Sequence, residues 1–261
     1  MNGWRDTLDA TLAVAGFQLA RLRTAPRLAL AALGVAFPAL VVLAVRRAVR
    51  VDPDRDVWAV LLYALVPEAV CMLGLLVTMC PAVADELERG TWVHVATRPG
   101  GRRALVLGTF VASVVWASTI GVLALVVAVI VGGMSEPLGL ILVFTGLVVV
   151  SSVGRGALFA LPAVVMPSRA LVASVGVAVV VEYLAGFLPA IVNQATVSLR
   201  LRSLLVQGLD WQKKIPAQLK LIVDPQPAWV QCGAVVVLAV VLLTVAIVIL
   251  ERRQFPPSEE G

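Results

Sequence analysis

The chain has 261 residues, of which 60% are hydrophobic and 14% charged, with a net charge of +5. A soluble domain of this length carries nearly twice that charged fraction, so composition excludes a sizeable soluble body and indicates a polytopic membrane protein. The basic residues sit at the borders of apolar runs, a membrane-edge pattern that points away from nucleic acid as a partner.

Residues 1–27 read as an amphipathic helix on the inner membrane surface. Trp4, Leu8, Leu12, Ala15, Leu19 and Leu22 recur at three- and four-residue steps and so share one side, with Arg5, Asp6, Asp9 and Arg21 elsewhere. The early acids Asp6 and Asp9 argue against a signal peptide, and the chain is expected to turn upward near Pro26.

Residues 28–250 contain six apolar segments. Leu28 to Val45 is uncharged, with Pro38 expected to kink it. Val57 to Ala84 carries Glu68, and Ala104 to Met134 is the longest clean run. Leu138 to Met166 holds Arg155, and the turn Pro167-Ser168-Arg169 leads into Ala170 to Val192, which holds Glu182. Ala228 to Leu250 is the last, followed by a charged tail, 251–261, whose Pro256-Pro257 and acidic end predict disorder. The fold class is therefore all-α, with six transmembrane helices.

The longest loop on the other face, 193–227, alternates Leu199, Leu201, Leu204 and Leu205 with Arg200, Arg202 and Gln207, flanked by Trp211 and Trp229 as interfacial anchors. Short re-entrant or surface helices fit this pattern, and so does an amphipathic loop on lipid headgroups.

Three charges lie within spans: Glu68, Arg155 and Glu182. Such residues are costly in hydrocarbon and face a partner or a wet cavity. Arg155 and Glu182 are nearly equidistant from Ser168 along two antiparallel spans, which predicts that they pair. Glu68, nearer the outer end of its span, is the weaker partner on this count. Met72 and Met79, flanked by Cys71 and Cys80, are soft-metal ligand types, but core packing explains them. The cysteines have no Cys-x-x-Cys spacing, and one histidine, His94, cannot make a His cluster.

The polar segment Asp85 to Arg103 stands out from this background. Gly90 can stop an incoming helix, Thr91 can cap a new one through a backbone N–H, and Pro99-Gly100-Gly101 turns the chain. Glu86, Gly90, Thr91, Pro99, Arg102 and Gly108 are spaced as Glu-x-x-x-Gly-Thr, a later Pro-x-x-Arg and a Gly beyond. This spacing resembles the cytoplasmic coupling segment of ABC-2-type transporter permeases. Val93 stands where that family often has Glu, Val95-Ala96 where it has a Leu pair, and Thr109 where Lys is common.

The resemblance implies a permease subunit of an ATP-binding-cassette exporter, working as a dimer of this subunit with two cytoplasmic ATPase subunits. It implies that helix 92–98 is the coupling helix, with Trp92 and Val95 as apolar knobs and Glu86 and Glu88 steering the partner. It also implies both termini in the cytoplasm of a cell (inner or plasma) membrane, since Lys and Arg divide almost evenly between the two sides. Helices between the fifth and sixth spans are common in that family. No Gly-x-x-x-x-Gly-Lys-Ser/Thr occurs here, so ATP and Mg would bind the partner and the chain itself is not expected to be an enzyme. The alternatives are a secondary carrier using Glu68 or Glu182 as a proton relay, and a non-transporting membrane scaffold or enzyme. No His-Glu-x-x-His or Gly-x-Ser-x-Gly supports an enzyme.

Overall fold

The computed structural model describes residues 3–49, 54–134, 136–184, 196–211 and 226–254, the side chains of residues 3–6 excepted. Among these, all regular structure is helical. Six helices are long and apolar enough to cross a membrane, which makes this a multi-pass helical membrane protein. The tail beyond residue 254, Val192, most of loop 193–227 and the Trp4 side chain lie outside the described residues.

Helix α1, Gly3–Leu22, is followed by the first span, α2, Ala25–Ala48. Pro26 lies in the first turn of α2, where its missing N–H costs nothing. Pro38 lies within one continuous helix, so the expected kink does not interrupt it. The second span, Arg55–Glu88, is segmented instead. It runs through α3 (Arg55–Tyr63), a π-helical turn (Ala64–Val70), α4 (Cys71–Met79), a short 3₁₀ turn (Cys80–Ala82) and α5 (Ala84–Glu88). A short helix α6, Trp92–Thr97, precedes the third span, α7, Gly101–Gly132. The fourth is α8, Pro137–Val165. The fifth, Pro167–Leu184, contains α9 (Ala170–Val177) and a second π-helical turn, Ala178–Leu184. Helix α10, Val197–Gly208, and the sixth span, α11, Ala228–Arg252, complete the fold.

Helix α1 lies along α7 and seats only the Ala15, Leu19 and Leu22 part of the predicted stripe, on a face rotated toward Thr11. Thr11, Ala15 and Leu22 are buried, whereas Leu8 and Leu12 are 52% and 63% exposed. Gly108 of α7 sets the approach. A side chain there would meet Val14 and the carbonyl of Thr11 at under 3 Å, so only glycine lets the two helices come this close.

Two large apolar clusters fill most of the bundle, with a smaller third of Val70, Ile120 and Ala124. One gathers Leu75, Met79, Trp92, Leu105, Phe159 and Leu250; the other gathers Val42, Trp58, Leu62, Val66, Phe144 and Leu201. Cys71 packs in the second cluster and Met79 and Cys80 in the first, so these soft ligand types are divided between two cores. Helix α10 is not a loop on lipid headgroups. Val197, Leu199, Leu201 and Leu205 are buried, and the helix packs against α8 and α11.

Candidate functional site

The three intramembrane charges meet. Arg155 is 0% exposed on α8, and its Nη2 lies 2.6 Å from Glu68 Oε2. Its Nε lies 3.5 Å from Glu182 Oε2, so the predicted pair exists but is the looser of two. Glu68, ranked as the weaker partner from its depth, is the closer one. Helical side chains lean toward their own N-terminus, and Arg155 leans toward the Pro137 end of α8. That is the end where Glu68 sits, counted from Arg55. A depth count from backbone positions alone omits this reach.

The π-helical turn around Pro67 supplies a further ligand. Cys71 N–H bonds the carbonyl of Val66, five residues back, and not that of Pro67. The Pro67 carbonyl instead accepts from Arg155 Nη1 at 2.7 Å and from Ser151 Oγ at 3.1 Å. A π turn thus turns a ladder carbonyl toward a buried guanidinium. Ser151 also accepts from Arg155 Nη1 at 3.0 Å, one helical turn away on α8.

Glu182, 1% exposed, lies in the second π turn and addresses the start of α10. Its carboxylate accepts from Val197 N–H at 3.1 Å and from Ser198 Oγ at 2.7 Å. A carboxylate at a helix N-terminus satisfies a free donor and complements the helix dipole. Ser198 in turn accepts from Arg155 Nη2 at 3.2 Å, and Tyr63 donates to Glu68 Oε1 at 2.8 Å. The cluster therefore ties spans two, four and five to α10, with two carboxylates around one guanidinium. Ser151, Ser198, Tyr63 and the Pro67 carbonyl were not singled out from sequence. Pro67 next to an intramembrane Glu, and Ser151 four residues before Arg155, were the available signals.

The polar segment at the opposite end of these spans is built as a helix, a left-handed turn and a helix. Gly90 and Gly100 take φ of 68° and 72°, so both breaks expected from glycine are present. Thr91 does not cap α6. Its hydroxyl donates to Glu86 Oε2 at 2.5 Å, and its backbone is already helical. Glu86 is buried, 6% exposed, and also accepts from Arg21 Nη1 at 2.8 Å. It is an internal anchor for α1 and is turned away from any steering role. Asp85 takes the other Arg21 nitrogen at 2.8 Å and lies 3.6 Å from Arg27.

Trp92, expected as a docking knob, is buried in the chain's own core, and the Arg102 guanidinium lies 5.6 Å from its ring centre. Val95 is half-buried against the same cluster. The exposed face instead carries Glu88, Arg89, Val93, His94, Thr97, Arg98 and Pro99. Arg102 donates to the carbonyls of Leu250 and Glu251 at 3.2 and 2.7 Å, closing the end of α11. Arg253 donates to the carbonyls of Val164 and Val165, closing the end of α8. Cations at helix C-termini satisfy free carbonyls and complement the dipole.

Gly90→Ala tests the turn. A methyl there would touch nothing within 4 Å, so the cost is purely backbone, about 1–2 kcal/mol for an L-residue held left-handed. A matching loss in unfolding free energy in detergent is expected; an unchanged midpoint would mean that the turn relaxes freely.

Compared with known proteins, the chain matches no family model and no curated sequence.

Proposed function

We propose that the chain is the membrane-spanning permease subunit of an ABC-2-type exporter, driven by a separate ATPase that holds ATP and Mg. The observation that carries this reading is the braced segment Ala84–Gly100. Its inner side is fixed to α1 by Arg21, to the core by Trp92 and to α11 by Arg102, while Val93, His94 and Thr97 stay exposed. A push on such a surface reaches spans two, three and six without being absorbed in a soft loop. A coupling element needs that stiffness. In this reading two copies pair in the cell membrane, with the segment and both termini cytoplasmic.

A second reading, a secondary carrier, is favoured by the Glu68–Arg155–Glu182 cluster, because paired carboxylates inside a membrane suit proton or cation relay. The two readings separate on energy source and partner.

The test is isolation of the tagged protein from its own host in mild detergent, followed by identification of co-purifying subunits. An ATPase with a phosphate-binding loop is expected. Val93→Asp with His94→Asp should reduce its recovery about tenfold or more, as a charge placed at the centre of an apolar contact does, at unchanged permease yield. Absence of any such subunit, or transport that persists after ATP depletion, would replace the permease reading with the carrier.

A further inference from the structure

A groove of about 320 Å³ runs between α2, α4 and α7, apart from the Arg155 cluster and meeting the polar segment only at its Arg27 end, beside Asp85. Its walls are apolar, formed by Leu30, Phe37, Leu73 and Trp116, with Gly34 and Gly74 among the lining residues. One end is marked by Arg27 and the other by Phe37, about 15 Å apart along α2 at the helical rise. This is about half of a 30 Å hydrocarbon layer, the depth of one leaflet.

The Arg27 end is polar. Arg27 donates to the Arg21 carbonyl at 3.3 Å and lies 3.6 Å from Asp85, and a guanidinium has donors beyond these two. Arg21 already holds Asp85 and Glu86 at 2.8 Å each, so Arg27 is the looser partner of Asp85 at this end. A small adjoining cavity shares Leu22, Arg27, Val77 and Thr78 with the groove, and Thr109 and Ser113 line it. The hydroxyls of Thr109 and Ser113 are buried there without a hydrogen-bond partner. Buried hydroxyls in that state call for a polar guest or an ordered water.

We propose that this groove is a specific site for one anionic phospholipid of the adjoining leaflet. An acyl chain lies along α2 and the phosphate lies on Arg27, with one ordered water in the adjoining cavity of about 10 Å³ linking it to Thr109 and Ser113. Helix α1 forms one side of the headgroup end through Leu22, so an occupied site ties the N-terminal helix to the bilayer.

The probe is phosphatidylglycerol against phosphatidylcholine of identical acyl chains, added to the purified full chain and read by native mass spectrometry. One retained phosphatidylglycerol is expected, favoured about fivefold over phosphatidylcholine, the effect of one basic residue at an anionic surface. Arg27→Gln should bring that ratio to about one, while Arg27→Lys should preserve most of it. Leu73→Trp, which fills the groove from its exposed wall, should remove both lipids. Each variant is checked for a single elution peak and helical circular dichroism. Should Arg27→Gln not fold, the Arg27→Lys and Leu73→Trp arms still decide. Equal retention of the two lipids by the wild type would overturn the proposal, as would adducts that survive Leu73→Trp, because both describe ordinary boundary lipid.

Discussion

Arg155→Ala is expected to remove most folded protein from detergent extracts. The substitution leaves Glu68 and Glu182 facing each other without their cation, and it strips donors from the Pro67 carbonyl and both serines. Removing one partner of a buried ion pair costs about 3–5 kcal/mol, against a total stability of about 5–15 kcal/mol for a typical domain. Arg155→Lys should recover only part of the loss, since one ammonium cannot reach Glu68, Glu182 and Pro67 together. Glu68→Gln and Glu182→Gln should each be milder, because an amide keeps hydrogen bonds to its neighbours.

A simple pair would be restored by exchanging the two charges. The observed cluster predicts otherwise for Arg155→Glu with Glu182→Arg. A glutamate at 155 cannot donate to Pro67 and would sit beside Glu68, so the double variant should be as poor as Arg155→Ala. Size-exclusion yield and thermal midpoint in one detergent would read the series. Wild-type yield from Arg155→Ala would show that the two carboxylates are not held by this cation.

Trp92→Ala is the second large effect expected, and it separates a structural tryptophan from a docking one. Truncating a buried Trp costs about 3–5 kcal/mol in a well-packed core, and here it also removes the ring beneath Arg102. Lower stability is therefore expected even in isolated permease, with increased protease cleavage between Glu88 and Pro99. Val93→Ala, on the exposed face, should change stability by about 0.5 kcal/mol or less. If Trp92→Ala left the isolated chain as stable and as resistant as the wild type, the indole would not be acting as a core residue.

Hydropathy placed five spans, and the start of the fifth in chain order, within a few residues of the observed helices because a membrane core demands about twenty apolar residues in a row; the predicted end of the fifth, Val192, lies outside the described residues. It gave only part of the face that α1 seats. Both the lipid and the bundle are apolar surroundings, so Leu8 and Leu12 outside and Ala15 and Leu22 inside satisfy the same pattern. The buried charges were legible from their cost, but the ranking of partners was not. It depended on side-chain lean and on a π turn that releases one carbonyl, neither of which alters hydrophobic spacing. In the polar segment, the glycine breaks were legible and the side-chain roles were not. Helix α6 has only six residues, too few for a periodicity that would separate Trp92 inside from Val93 outside.

The arginine–carbonyl bonds at the Asp85 end also set an order of events during synthesis. Arg253 closes the end of α8 across 88 residues of sequence, and Arg102 finds its carbonyls only once α11 exists. At about 5–20 residues per second, the ribosome makes the intervening chain in several seconds or more. Throughout that interval the freshly inserted first four spans have an unfinished edge, with the α8 terminal carbonyls dependent on water. Completion of the bundle is consequently a late step in biogenesis, governed by the emergence of one arginine.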